Sequence, residues 1–214
     1  MSRNYLKRAD LTAASGADDV RDTVQSILND IEARGDAAAL EYAAKFDRYE
    51  GNIKLTAAEI EAAAALVPEK LKLDIQFAHA NVRRFAEAQM ATMQDIEVEV
   101  VPGLVAGQKS IPVRTAGCYI PGGRYSHIAS AIMTVTTASV AGCENIIACS
   151  PPRPGVGIAP AIIYAAHICG ADSILALGGV QGVAAMAFGL FDLPKADILV
   201  GPGNQFVAEA KRIL

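Results

Sequence analysis

The chain has 214 residues, of which 52% are hydrophobic and 20% charged, and its formal net charge is −4. This composition is typical of a folded globular protein with a sizeable core, and it excludes a disordered chain. A mildly acidic chain without a basic stripe is a poor candidate for binding nucleic acid. A bilayer requires an apolar run of roughly 18 residues, and without such a run the chain is not expected to span a membrane.

The N-terminus and the cysteines predict the compartment. The first sixteen residues contain no apolar stretch of the kind found in secretory signals. The four cysteines form no CxxC pair, so we expect reduced, mostly buried thiols and a cytoplasmic location. These cysteines are Cys118, Cys143, Cys149 and Cys169.

Helices are predicted up to about residue 95. Apolar residues recur at helical spacing over 17–34, and Gly35 suits the position just after a helix. A second helix is predicted over about 36–46. Thr56 followed by Glu59 predicts a capping box that opens a third helix.

A fourth helix is expected after Pro68, which marks a break or a new first turn. It carries one apolar stripe, and a helical hairpin can bury only part of such a stripe. We therefore expect the stripe to meet another domain or another subunit. His79 lies beside it and is interpreted as a packed helix histidine. The stripe consists of Leu71, Ile75, Ala78, Val82 and Phe85.

Residues 96–108 alternate apolar and acidic side chains and are interrupted by Pro102 and Gly103, which predicts a β-hairpin. The sequence also changes character here, so a domain boundary is placed near residue 105. Residues 1–105 are then a helical region with a hairpin, part of an incomplete first domain, and residues 106–214 are a second domain.

From residue 106 a pattern of strand, loop and helix repeats. This pattern predicts an α/β fold, in which the helical N-terminal region is followed by a Rossmann-like parallel sheet covered by helices. Strands are expected at 116–120, 145–149, 173–177 and 197–200, and helices are expected to begin near His127, Ile158, Val180 and Asn204.

Three of the four expected strand-to-helix loops are rich in glycine: 119–123, 178–182 and 201–204. Ligands of parallel α/β sheets bind at this edge. Glycine lets backbone N–H groups approach a ligand, and helix N-termini favour phosphate. The dinucleotide fingerprint GxGxxG does not occur in the sequence. Spacing alone thus predicts a phosphate-bearing small molecule, and simple tight turns are the alternative for any one loop.

Three polar side chains stand out at this edge: Tyr119, Gln181 and Asn204. Tyr119 could stack on a flat ring, and the two amides could bond to ribose or amide groups. The alternative is turn capping, since Asn204 is a natural N-cap. We expect the three side chains to line one cleft at the carboxyl edge of the sheet.

The other polar residues do not indicate a particular catalytic or metal-binding role. His127 follows Arg124 and Tyr125, whose roles the sequence leaves open. A helix cap is the favoured interpretation of His127, with substrate contact as the alternative. His167 and Cys169 are two residues apart and do not share a helix face, so they are not a metal pair. The sequence contains no cluster of metal ligands, no Ser–His–Asp set and no paired carboxylates on one loop.

Several stretches together resemble the histidinol dehydrogenase family. Their order and spacing fit along the second half of the chain, whereas the first half, with RGDAAALEYAAKFD, fits more loosely. The matching stretches are VPGLVAGQ (101–108), AGCYIPGG (116–123), SVAGC (139–143), CSPP (149–152), GGVQGVAA (178–185) and GPGNQF (201–206).

The resemblance implies an NAD-dependent, zinc-containing dehydrogenase that acts as a homodimer with exchanged segments. Such enzymes oxidise a primary alcohol through an aldehyde to a carboxylate. The family's cofactor contacts correspond to Tyr119, Gln181 and Asn204, so residues 106–214 are expected to be the NAD-binding domain.

Family members are about twice as long as this chain. The resemblance therefore implies a fragment whose zinc ligands and catalytic residues are expected beyond Leu214. No catalytic or metal-binding residue is assigned here, and the 214 residues alone are expected to be inactive and not to bind zinc tightly. The alternative is a stand-alone NAD-binding or scaffold module.

The segment after the PGG turn departs from the usual family pattern. It reads RYSHIASAIMTV (124–135) and resembles the branch that oxidises 2,3-dihydroxypropane-1-sulfonate or similar polyols. Arg124 could pair with a sulfonate, or it could hold an NAD phosphate. The substrate expectation is thus an amino alcohol or a sulfonated diol, with the sulfonate slightly favoured.

Overall fold

The computed structural model describes residues 17–122 and 125–214, and it is mixed α/β with helices followed by a parallel sheet, as predicted. Arg124 and the N-terminal sixteen residues lie outside the described residues. Within the described part of the chain, no helix is both long and apolar enough to cross a bilayer.

Four helices form the first half: α1 (Ala17–Arg34), α2 (Asp36–Tyr42), α3 (Ala57–Leu66) and α4 (Glu69–Met90). Helix α2 continues as a π-helical turn, Ala43–Asp47, where a continuous helix was predicted to about residue 46. Gly35 separates α1 from α2 with φ of 61°, a conformation that glycine adopts without steric cost.

The sequence pattern at Thr56 and Glu59 predicted the start of α3 correctly. The predicted capping box is present: the Thr56 hydroxyl accepts from the Glu59 amide, and the Glu59 carboxylate accepts from the Thr56 amide. Pro68 ends this region and occupies the N-cap position of α4, so the predicted break is also confirmed.

The predicted hairpin is confirmed. Strands β1 (Ile96–Val101) and β2 (Leu104–Gln108) are antiparallel and join through the turn at Pro102 and Gly103. Every residue of both strands is exposed, so the hairpin contributes nothing to the core of this chain.

The second half forms a four-stranded parallel sheet. Each strand begins within one residue of its predicted start, because short apolar runs bounded by glycine and proline mark buried strands. The strands are β3 (Thr115–Tyr119), β4 (Asn145–Ser150), β5 (Ser173–Ala176) and β6 (Ile198–Val200), in the order β5-β4-β3-β6. The helices are α5 (Ile128–Val140), α6 (Pro160–Cys169), α7 (Gly179–Phe188) and α8 (Gln205–Ile213).

Helices cover both faces of the sheet. One face packs against α3, α4, α5 and α6, and the other packs against α1, α7 and α8. Alternate residues of β4 point to opposite cores: Ala148 lies in the first and Ile147 in the second. A parallel sheet covered on both faces needs strands without polar sides, and β4 is apolar at each of these positions.

Residues 53–55 extend the sheet beyond β5. The Leu55 amide donates to the Ile174 carbonyl at 3.0 Å, and the Ala176 amide donates to the Ile53 carbonyl at 2.7 Å. This antiparallel pairing covers the free edge of β5, which would otherwise offer unpaired backbone groups to another chain.

The apolar stripe of α4 packs mostly within the chain. Ile75 is buried, while Leu71, Ala78 and Val82 are partly buried against the core that contains α5 and α6. The stripe therefore packs against helices of the α/β part of the chain, while the predicted contact with a separate domain or another subunit is not decided by this packing. Phe85 is the exception, with 67% of its surface exposed.

His79 is a packed helix residue, as interpreted from the sequence. Its Nδ1 lies 3.0 Å from the Thr136 hydroxyl of α5 and 3.2 Å from the Cys169 thiol of α6. Burial, followed by the nearby Arg83 charge, lowers the pKa of His79. His79 of α4 thus makes polar contacts with both α5 and α6.

The first-half helices and the sheet share their hydrophobic cores. Helix α1 packs against α7 and α8, and α3 packs against α6. The proposed boundary near residue 105 marks a change in sequence pattern, and its use as a domain boundary stays a prediction.

All four cysteines are free thiols, with Cys143 half-buried and the other three buried. Burial raises the pKa of Cys118 to about 12 and also raises the pKa of Cys149, Cys169 and Cys143. Because the thiolate is the reactive form and needs access, we expect Cys143 to be alkylated first.

Peptide mapping by mass spectrometry after brief iodoacetamide treatment measures this order. Cys143 should react at least about 10-fold faster than the three buried thiols. In guanidinium chloride the four rates should converge. Fast labelling of Cys118 or Cys149 in the native protein would contradict the structure.

Candidate functional site

The strand order creates a crevice at the carboxyl ends of β3 and β6. The chain runs from β3 to β4 and β5 on one side and then returns to place β6 on the other side of β3. Loops that leave two such neighbouring strands in opposite directions open a crevice between them, and ligands of open α/β sheets bind there.

A cleft of about 770 Å³ occupies this position, a size within the roughly 300–1,000 Å³ that is typical of ligand pockets. Its walls come from the loops after β3, β4, β5 and β6 and also from α1 and the π-helical turn. The lining residues are Thr23, Ile27, Phe46, Asp47, Tyr119, Pro121, Gly122, His127, Pro151, Gly179, Val180, Gln181, Pro202, Gly203, Asn204 and Phe206.

The structure brings Tyr119, Gln181 and Asn204 together in the walls of this one cleft. They come from three separate loop regions, as the parallel topology led us to expect. Their arrangement was therefore predicted correctly from the sequence, while their role in holding a cofactor stays a prediction.

Asn204 is the N-cap of α8. Its Oδ1 accepts from the amides of Phe206 and Val207, both at 3.1 Å. Within the described residues, its Nδ2 donates no hydrogen bond, and the side chain is exposed at the cleft. Capping thus uses the oxygen and leaves the NH₂ group available, so the two interpretations of Asn204 are compatible.

Tyr119 ends β3 and is 5% exposed. Its hydroxyl accepts from the Gly179 amide at 3.0 Å, and burial raises its pKa. The ring is therefore held in place between the sheet and the start of α7, and its stacking on a flat ligand ring stays a prediction.

Gln181 lies in the first turn of α7 and is 1% exposed. Its Nε2 donates to Oδ2 of Asp47 at 2.9 Å, and the same oxygen accepts from the Gly178 amide at 2.9 Å. Burial, the largest effect, raises the pKa of Asp47, and the two hydrogen bonds act in the opposite direction.

The glycine-rich loop after β5 does not offer its first amides to an anion. The Gly178 amide donates to Asp47, and the Gly179 amide donates to Tyr119. A helix N-terminus favours a negative group, and here a carboxylate of the chain itself takes that position. The sequence led us to expect that this loop contacts a phosphate. Because the Gly178 and Gly179 amides are already bonded within the chain, such a contact would have to use amides other than these two.

His127 occupies the N-cap position of α5, but its side chain makes no capping hydrogen bond. The favoured interpretation as a helix cap is therefore confirmed for the position of His127, and the imidazole takes no part in the capping. Its backbone carbonyl accepts from the amides of Ser130 and Ala131, while the exposed imidazole lines the cleft.

Sequence reasoning missed the contribution of the first half. Thr23, Ile27, Phe46 and Asp47 line one side of the cleft, and Phe46 is 51% exposed there. One signal was present: Asp47 ends a helical segment, where its charge opposes the local helix dipole. An acidic residue at the C-terminal end of a helical segment suggests that its carboxylate bonds to residues far away in the sequence.

The charge of the described cleft wall is low. The lining residues include one carboxylate, Asp47, and neither lysine nor arginine. No group of three or more His, Cys, Asp and Glu side chains within residues 17–122 and 125–214 could hold a metal ion. The arrangement is suited to holding an uncharged or weakly charged portion of a ligand through neutral side chains.

Comparison with known proteins gives a consistent result. A family model described as histidinol dehydrogenase matches residues 11–214. Sulfopropanediol 3-dehydrogenase of Ruegeria pomeroyi is 75% identical over 214 residues, which cover 100% of this chain and 49% of that protein. Histidinol dehydrogenase of Methanosarcina barkeri is 43% identical over 202 residues, covering 94% of this chain and 46% of that protein.

A solved structure agrees with the fold. The crystal structure of histidinol dehydrogenase from Elizabethkingia anophelis superposes with a TM-score of 0.84 at 34% identity, covering 94% of this chain and 49% of that chain. The chain thus spans about half the length of the relatives that it matches.

Proposed function

This chain belongs to the histidinol dehydrogenase family, and from that premise we propose that it forms the NAD-binding part of a dehydrogenase that oxidises a sulfonated diol. The observation that carries the proposal is its 75% identity to sulfopropanediol 3-dehydrogenase across the whole chain. Identity to the named histidinol dehydrogenase is lower, at 43%.

The cleft supports NAD as the cofactor. It lies at the switch point of a Rossmann-like sheet, where dinucleotides bind in such folds. The half-exposed ring of Phe46 offers a flat apolar surface to a planar base, and the Nδ2 group of Asn204 offers a donor to a ribose or carboxamide oxygen. When bound, NAD would accept the hydride that the alcohol loses.

In this proposal the residues of the chain bind and orient. Tyr119 and Gln181 are buried and form fixed walls, so they restrict how the cofactor can lie. The loop 201–204 runs close to the end of β3, because a Cβ at Gly201 would lie 2.9 Å from the carbonyl carbon of Tyr119. No proton-transfer step is assigned to the described residues.

Zinc is expected from the resemblance to the family. The described residues do not fit a zinc site, because no suitable group of ligands lies among them. No step of the reaction is therefore derived through a metal on this chain. The homodimer and the cytoplasmic location also stay predictions from the sequence.

Steady-state kinetics with the whole protein test the function. With NAD and zinc present, NADH formation should be followed with 2,3-dihydroxypropane-1-sulfonate and with histidinol. We expect kcat/KM to favour the sulfonated diol by at least about 100-fold, because a site that pairs one polar group strongly rejects a substrate lacking it. A preference for histidinol would contradict the proposed substrate. Absence of NADH formation with both alcohols would contradict the proposed dehydrogenase activity.

A further inference from the structure

Asp47 fixes the orientation of the Gln181 amide. Its Oδ2 lies 2.9 Å from Gln181 Nε2 and 2.9 Å from the Gly178 amide nitrogen. An ionised carboxylate can only accept hydrogen bonds. The Gln181 group that faces it must therefore be the NH₂ group, and the carbonyl oxygen Oε1 must point elsewhere.

The Gln181 oxygen lacks a partner. Among the described residues, no donor bonds to Oε1, although the side chain is 1% exposed and lines the cleft. Gly179 keeps the oxygen accessible, since a Cβ at that position would lie 3.1 Å from Oε1. Oε1 is therefore an acceptor that the chain leaves unbonded beside the cleft, and a ligand donor in the cleft can bond to it.

We infer that Asp47 is a positioning residue, which holds Gln181 so that its Oε1 accepts a hydrogen bond from an N–H or O–H donor of the bound dinucleotide. The inference rests on the proposed function. NAD carries such donors on its ribose hydroxyls and on the amino groups of its adenine and carboxamide. Asp47 touches Gln181 and Gly178, and it acts on the ligand through Gln181.

Two substitutions separate hydrogen bonding from charge. Asp47→Asn keeps an oxygen that can accept from both Gln181 and Gly178, whereas Asp47→Ala removes it. In calorimetric titrations of the whole protein with NAD, Asp47→Ala should raise the dissociation constant roughly 10- to 100-fold. Asp47→Asn should stay within about 3-fold of the wild type. Equal loss in both variants would overturn the inference, because it would show that charge is what matters.

A double-mutant cycle tests whether Asp47 acts through Gln181. Gln181→Met keeps the length of the side chain and removes both the donor and the acceptor. In that background, Asp47→Ala should have no further effect on NAD affinity, since the group that it positions is absent. An additive loss would show that Asp47 acts by another route and would overturn the inference.

A ligand-free measurement keeps the inference separate from the cofactor proposal. In protein with ¹⁵N-labelled glutamine, the signal lost in Gln181→Met identifies this side-chain amide. Its protons should exchange slowly with solvent in the wild type and in Asp47→Asn, and quickly in Asp47→Ala. Fast exchange in the wild type would overturn the positioning role. A protected amide in a protein that does not bind NAD would overturn the cofactor and the ligand contact together.

Discussion

Replacing Gly201 with alanine is expected to destabilise the protein by about 2–4 kcal/mol. Gly201 has φ of +110°, and a Cβ there would lie 2.9 Å from the carbonyl carbon of Tyr119 and closer still to its oxygen. The loop has little freedom to move away, because the Lys211 ammonium donates to the Gly201 carbonyl. The substitution combines backbone strain with a collision against backbone.

The same change should weaken NAD binding at least about 10-fold, because displacement of a positioning loop by 1 Å can cost about 100-fold in function. Gly35→Ala is the matched control. Gly35 also has a positive φ, 61°, but a Cβ there would meet nothing within 4 Å. Because its ψ of −137° lies outside the left-handed region, we expect it to cost about 1–3 kcal/mol through strain alone and to leave NAD affinity unchanged. Chemical denaturation and calorimetry measure both effects, and an equal loss of NAD affinity in the two variants would refute the close contact at Gly201.

Asn204→Ala is expected to lower both stability and cofactor affinity, for different reasons. Loss of the Oδ1 acceptor leaves the Phe206 and Val207 amides without their cap, which costs about 1 kcal/mol of stability. Loss of the Nδ2 donor should weaken NAD binding by roughly 1–3 kcal/mol. Both values come from one side chain, so a second variant is needed to separate them.

Asn204→Ser supplies that separation. A serine hydroxyl caps a helix about as well as asparagine, but it is shorter and lacks the amide donor. Stability should return to within a few tenths of a kcal/mol of the wild type, while NAD affinity should stay low. If serine restores both properties, Asn204 is only a helix cap. If alanine leaves NAD affinity unchanged, the proposed contact is wrong.

The parts of the fold that depend on short-range signals were predictable. The capping box at Thr56 and Glu59, the hairpin turn at Pro102 and the buried strands are each marked by residues within a few positions of one another. Parallel topology then placed Tyr119, Gln181 and Asn204 at one edge without knowledge of any contact. That argument gave their common cleft and left the direction of each side chain undetermined.

The other half of the cleft depends on distant contacts. Asp47 reaches Gly178 and Gln181 from the opposite half of the chain, and no periodicity reports such a pairing. Residues 53–55 likewise pair with β5, although their sequence shows no long strand pattern. The position of His127 at a helix start was predictable, but position does not reveal whether its side chain makes a capping hydrogen bond.

The packing of α1 on α8 also determines when the chain can fold. Val24, Leu28 and Ile31 of α1 are buried against a core that includes Val207 and Ala210 of α8. During synthesis at roughly 5–20 residues per second, α1 leaves the ribosome on the order of ten seconds before its partner exists. Its apolar face is covered only when α7 and then α8 have been made, and contacts so distant in sequence slow folding further. The nascent chain is therefore most prone to aggregation before these two helices emerge.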